Sequence, residues 1–301
     1  MSGHSSVKAI YYALAANFGI AVAKGIAAFI TQSGSMLAET IHSLADCSNQ
    51  ILLLFGMKKA TIPPDDEHPL GHGKAAYFWS FIVAMLLFSV GGLFSVYEGI
   101  HKLHVHEPLQ KVWIALIVLG ISIVLESMSL LGALSEIKKI RKDKSFFYWL
   151  KNTRSSELMV VMGEDIAAVM GLITAFVFVV LAHVLENPFY DALGSICIGV
   201  ILLIVSLFLI LRMKDLLIGK SADPEIQQAV YDHITSDNRI ADVFNIITIQ
   251  IGPYIMLAAK IKLKDTSDTK SACEAINAME RGLKQRVPDI KWSFIEPDIT
   301  N

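Results

Sequence analysis

His42 and Asp46 stand four residues apart in Glu39-Thr40-Ile41-His42-Ser43-Leu44-Ala45-Asp46-Cys47-Ser48-Asn49-Gln50, inside an apolar run long enough to cross a bilayer. Four residues is about one helical turn, so imidazole and carboxylate leave the same helix face. An ionisable residue at membrane depth costs about 2.5–3.5 kcal/mol on insertion scales, and two on one face need a compensating partner. A divalent cation is one such partner, and this ligand pair suits zinc and its first-row neighbours better than calcium or magnesium. A His–Asp hydrogen bond joining two helices is the other reading.

A second acidic element, Glu164-Asp165, lies within Val160-Val161-Met162-Gly163-Glu164-Asp165-Ile166-Ala167-Ala168-Val169-Met170-Gly171. Adjacent helical carboxylates point about 100° apart, so the two are not expected to face a bundle centre equally. Asp165 is the better partner for His42 and Asp46, because Ala168 and Gly171 beside it permit close helix approach, and Glu164 then stands behind it. The alternative is a structural carboxylate near a helix end. Glu126, in the middle of another apolar run, stays open between a proton relay and a partner for Lys24 or for a hydroxyl such as Ser127.

Two more clusters are polar. Asp65-Asp66-Glu67-His68-Pro69-Leu70-Gly71-His72 packs three acids and two histidines into a short loop, which reads either as a cation site or as a solvated turn. Lys102-Leu103-His104-Val105-His106 has fewer ligands and reads as interfacial.

These residues must be held by a membrane scaffold. Of 301 residues, 53% are hydrophobic and only 18% charged, with a mean hydropathy of +0.52, too apolar for a soluble domain. Six spans are expected near 9–32, 35–57, 76–100, 110–135, 157–184 and 190–213. Lys8, Lys58, Lys59, Lys74, Lys138, Lys139, Arg141, Lys142, Lys144, Lys151, Arg154, Arg212 and Lys214 fall on one side, against Lys102 and Lys111 on the other. Both termini are therefore expected in the cytoplasm, with the chain multi-pass in the cell (inner) membrane. Cys47, Cys197 and Cys273 are scattered and form no CxxC, so neither a disulfide framework nor a thiolate cluster is indicated. The N-terminus does not read as a signal peptide, and a net charge of −2 gives no reason to expect a nucleic-acid partner.

From about Gly219 the chain reads as soluble. Asp223-Pro224 is an N-cap with proline at the first helical position, followed by Ile226, Val230 and Ile234 at helical spacing. Asp242–Ile251 and Ile255–Lys264 are strands around Gly252-Pro253-Tyr254. Ala272, Ile276, Met279 and Leu283 mark a second helix, and Ile290–Ile295 a last strand. The expected fold is an α-helical membrane protein: six transmembrane helices in a transport domain over residues 1–215, then a small cytoplasmic α+β domain, ferredoxin-like in αββαβ order, over 216–301.

Taken together, HxxxD on the second span, an acid on the fifth, the His68-Pro69-Leu70-Gly71-His72-Gly73-Lys74 loop and the αββαβ domain resemble the cation diffusion facilitator family over essentially the whole chain. Ala38–Asp46, Glu164–Gly171 and Asn187–Ser195 are similar to the branch that includes the mitochondrial zinc exporter of animals. The resemblance implies a homodimer in the lipid bilayer that moves Zn2+ or a related divalent ion out of the cytoplasm in exchange for protons. It places His42, Asp46 and Asp165 at the transport site, and Asp65, His68 and His72 at a cytoplasmic loop site. There are departures. Zinc-type members usually carry HxxxD on the fifth span, but the position four before Asp165 is Val161. In the soluble domain Phe244, Lys260 and Phe294 replace expected histidines, leaving Glu296 alone.

The chemistry supports antiport independently of the resemblance. A ligand must lose its proton before it binds metal, so metal entry expels protons and the reverse. With Val161 in place of a ligand, water, Glu164 or Asn17 is left to complete the site, and selectivity is expected to be broad across zinc, manganese, iron and cobalt. A manganese, iron or cobalt exporter of the same mechanism is one alternative, and a membrane metal sensor or scaffold without transport is another. An intramembrane metalloenzyme is not expected, since the chain has no HExxH or similar arrangement.

Overall fold

The computed structural model describes residues 3–105, 109–141, 143–264 and 268–300, and the side chains of all of these except 3–16 and 105. Lys8, His106 and Lys142, used above, lie outside the described side chains. The chain divides into two compact units.

The first unit, residues 1–56, 78–143 and 157–213, is helical. It is built from α1 (Gly3–Thr31), α2 (Gly34–Ala60), α3 (Ala75–Leu86), α4 (Phe94–Val105), α5 (Val112–Arg141), α7 (Ser156–Val184) and α8 (Phe189–Ile218). Among the described residues Ala75–His104, Val112–Arg141, Ser156–Val184 and Phe189–Ile218 are long and apolar enough to cross a membrane. The apolar part of α1 there is the shorter Asn17–Thr31. The polar residues Glu39, His42, Asp46 and Asn49 dilute the apolar character of α2. Outward side chains such as Phe29, Leu131, Val177 and Ile204 are exposed, as a lipid-facing surface requires.

Helix ends follow local chemistry. Gln32 takes a positive φ of 57° between α1 and α2. Asn187-Pro188 precedes α8, and Asn187 Oδ1 accepts from the Phe189 N–H at 3.0 Å. Asp191, in the first turn of α8, accepts from Ser33 Oγ and from the Gly34 N–H, both at 2.6 Å. Its carboxylate thereby satisfies the otherwise unpaired N-terminus of α2.

The third span is not one uniform helix. A π-helical run, Leu87–Leu93, joins α3 to α4. A Cβ on Gly92 would lie 2.7 Å from Leu203, and one on Gly199 2.6 Å from Val96. These two glycines let this span and α8 approach closely. Gly19 of α1, by contrast, has no neighbouring atom within 4 Å of such a Cβ.

The second unit comprises residues 57–77, 144–156 and 214–301. Its elements are α6 (Phe146–Asn152), α9 (Pro224–Thr235), β1 (Ile240–Ile251), β2 (Tyr254–Leu263), α10 (Thr269–Arg286) and β3 (Ile290–Pro297). Sheet order is β1-β2-β3, antiparallel between β1 and β2 and parallel between β2 and β3. Asp223 caps α9 as expected, accepting from the Glu225 N–H at 3.1 Å. The β1–β2 turn is Gly252-Pro253, and Tyr254 already pairs with Ile251 instead of belonging to the turn. Val230, Ile234, Ile255, Leu257, Ile261, Met279 and Leu283 form the core between the helices and one sheet face. The short α6, capped by Ser145 Oγ accepting from the Tyr148 N–H at 3.2 Å, was not foreseen in the basic loop where it lies.

Candidate metal transport site

On α2, Glu39, Ser43, Asp46 and Gln50 recur at helical spacing, and on α7 Val161, Asp165 and Ala168 do the same. Between these faces is a cavity of about 40 Å³. Ser43, Asp46 and Gln50 of α2 line it with Val161, Glu164, Asp165 and Ala168 of α7, and Asn17 of α1 and Glu126 and Ser129 of α5 complete it. A space this small holds few water molecules, so an ion inside would exchange much of its hydration shell for protein oxygens.

Both members of the Glu164-Asp165 pair line the cavity, where Asp165 was expected to face the centre more directly, with Glu164 behind it. The reason is that they reach toward different helices. Glu164 Oε1 accepts from Asn49 Nδ2 of α2 at 2.6 Å, and Asp165 Oδ2 accepts from Ser129 Oγ of α5 at 3.3 Å. Asn17 and Val161 are at the wall, as is Glu126. Lys24, considered above as a partner for Glu126, instead donates to Glu39 and Ser43.

His42 is placed differently. It is 1% exposed and is not among the lining residues. Its Nδ1 is 3.6 Å from Asp46 Oδ1, beyond hydrogen-bond distance. Among the described residues both ring nitrogens, together with Asp46 Oδ1, are buried with no hydrogen-bond partner. The His–Asp hydrogen bond joining two helices is therefore not what these residues form. Buried polar atoms without partners are uncommon, and a nitrogen-oxygen set of this kind is what a transition-metal ion would satisfy.

The loop residues are brought together in the second unit. Ligand atoms of Asp65, His68 and His72 lie within 4.8 Å of one another, and the two imidazoles are 4.1 Å apart between centroids. The His68 backbone N–H, 2.6 Å from Asp65 Oδ1, holds the Asp65 carboxyl below its ordinary range. The same loop is seated on the β1–β2 turn: Tyr77 Oη donates to Gly252 O at 3.1 Å, and a Cβ on Gly73 would lie 2.5 Å from Ile251 O. In the sheet, Lys260 is 2.6 Å from Asp298, which raises the Lys260 ammonium and lowers the Asp298 carboxyl.

The cation efflux transmembrane domain matches residues 10–218. The chain belongs to this cation efflux family. Among relatives of this cation efflux protein, the mouse proton-coupled zinc antiporter SLC30A9, mitochondrial, is 34% identical over 231 residues, 76% of this chain and 41% of the relative. Metal tolerance protein C4 of Arabidopsis thaliana is 32% identical over 252 residues, 82% of this chain and 55% of the relative. The manganese efflux system protein MneP of Bacillus subtilis is 24% identical over 298 residues, covering 96% and 95%. The chain thus spans about half or less of the length of the first two. Its family is one of transporters, not enzymes, and the chain resembles the branch of the mitochondrial zinc antiporters.

The sequence reading missed the Lys24–Glu39 pair, in which Lys24 Nζ is 3.3 Å from Glu39 Oε2 with both side chains fully buried. The available signal was a lysine amid the apolar residues of α1 and an acid one turn before His42.

Proposed function

We propose that this protein exports a divalent transition metal, zinc first, from the cytoplasm in exchange for protons by alternating access. The observation that carries this reading is the small mid-bundle cavity that gathers Asp46, Glu164, Asp165, Glu126 and Asn17, with the unpartnered atoms of His42 and Asp46 beside it. Asp46 and Asp165 are the charged ligands. His42, whose Nδ1 is 3.6 Å from Asp46 Oδ1, is the nitrogen ligand beside them, and Glu164 or Asn17 completes the set. Protons and metal compete for the same oxygens and nitrogens, so loading one expels the other. Residues 1–215 form the transport domain and residues 216–301 a cytoplasmic dimerisation domain. The protein works as a homodimer in the cell (inner) membrane with both termini cytoplasmic. The Asp65–His68–His72 cluster follows directly from α2 and recruits ions without being the coupling site.

The oxygen-rich wall, with Val161 where a ligand would complete a nitrogen-oxygen tetrahedron, favours manganese as the second substrate. The name of the Bacillus relative agrees with this. Reconstitution into vesicles with an imposed proton gradient tests both readings, with zinc, manganese, iron, cobalt and cadmium in competition. Gradient-driven uptake led by zinc is expected. Binding without uptake would make the protein a sensor, and preferred manganese uptake would exchange the two substrates.

A further inference from the structure

Along α1 and α2 the Lys24–Glu39 pair lies between the residues that line two cavities. On one side is the cavity of Asn17, Ser43 and Asp46. On the other is a larger space of about 440 Å³ lined by Gly25, Gln32, Leu37, Glu98, His101 and Asp191, among others. Along α1 the order is Asn17, Lys24, Gly25, Gln32, and along α2 it is Asp46, Ser43, Glu39, Leu37. Glu39 is seven residues from Asp46, about 10 Å along the helix. Lys24 Nζ reaches Glu39 Oε2 at 3.3 Å and Ser43 Oγ, on the wall of the smaller cavity, at 2.7 Å. Glu39 Oε1 has no donor among the described residues and lies 2.5 Å from where a Cβ on Gly171 of α7 would be.

A buried ion pair adds little to stability compared with apolar residues of the same volume, and inside a membrane it is a reason to look for function. We propose that Lys24 and Glu39 are the gate between the two cavities, an inference that rests on the export reading above. Lys24 is a tethered cation that keeps Glu39 neutralised and the passage closed. A divalent ion leaving the Asp46–Asp165 cavity displaces the ammonium, uses the free Glu39 oxygen as a stepping ligand and passes into the larger space, and Lys24 then returns. The larger space, with Glu98 and His101 on its wall, is the release vestibule.

The test is proton leak through vesicles carrying the full chain, followed with an entrapped pH dye and no metal present. The double variant Lys24→Met/Glu39→Gln removes both charges without leaving either unpaired. It should leak protons about fivefold or more faster than the parent. Lys24→Arg, which keeps the charge, should leak like the parent. Parental leak in the double variant overturns the gate whatever its metal flux, as does leak in Lys24→Arg as fast as in the double variant. If the double variant does not reach the membrane, Ser43→Ala decides: it loosens Lys24 while keeping both charges, faster leak supports the gate, and parental leak overturns it. Parental protein that takes up no metal under a proton gradient would defeat the export reading instead, a separate result because the leak assay contains no metal.

Discussion

Asn49 Nδ2 donates to Glu164 Oε1 at 2.6 Å, and this one bond ties α2 to α7 at the cavity wall. Asn49 is fully buried, and turning it away would leave the Glu164 carboxylate without this donor, so the bond orients Glu164. Groups that orient a metal ligand without touching the ion are worth about 10–100-fold in affinity. Asn49→Ala should therefore weaken zinc binding by about tenfold, measured by titration calorimetry on the purified protein. Unchanged affinity would mean that Glu164 does not hold the ion.

Asp46→Ala and Asp165→Ala should each abolish metal flux in proteoliposomes while leaving the elution volume of the purified protein unchanged. Each removes a carboxylate from the cavity wall, and among the described residues the hydrogen-bond partner of Asp165 is the neutral Ser129, so its loss strands no counter-charge there. Undiminished transport by Asp46→Ala would remove the second span from the mechanism.

His68→Ala and His72→Ala should lower transport only in part. Their ligand atoms converge with Asp65 in an exposed loop, where an ion can be caught but not coupled to protons across the bilayer. The His68 backbone N–H holds the Asp65 carboxyl below its ordinary range, so Asp65 stays ionised and open to metal on mild acidification. Asp65→Asn should lower metal affinity at the loop, measured by titration calorimetry, and unchanged affinity would remove Asp65 from the ligand set. Complete loss of transport in either histidine variant would show that the loop is part of the coupling site.

The parts of the fold legible in the sequence are those with short-range causes. Asp223-Pro224 starts α9 and Gly252-Pro253 turns β1 into β2, because a cap and a tight turn need only neighbouring residues. Apolar runs mark the helices of the bundle for the same reason. The π-helical run at Leu87–Leu93 includes Gly92, which packs close to Leu203 more than a hundred positions away, a long-range contact that sequence spacing does not show. His42 and Asp46 were legible as sharing a face, but not as sitting at different depths within it: Asp46 lines the cavity while His42 does not. The Lys24–Glu39 pair joins two helices, so spacing along either one could not reveal it.

Val161 lines the cavity one turn before Asp165, on the same face of α7. A branched hydrocarbon there leaves Asp46, Glu164, Asp165 and Asn17 to present oxygen to the ion, a set that discriminates weakly among first-row metals. Val161→His would add an imidazole four residues from Asp165 and bring the site closer to the tetrahedral nitrogen-oxygen arrangement zinc favours. Val161 is partly buried and lines the cavity, so a side chain there faces that space. The variant should bind zinc about tenfold or more tightly relative to manganese, and turn over more slowly because the ion is harder to release. Competition titrations with both metals, followed by single-turnover release in vesicles, check the two halves separately. If affinities for both metals match the parent, the ion is held on the Glu164–Asn49 side of the cavity, away from Val161, and Glu164 takes the place of Asp165 as the α7 ligand.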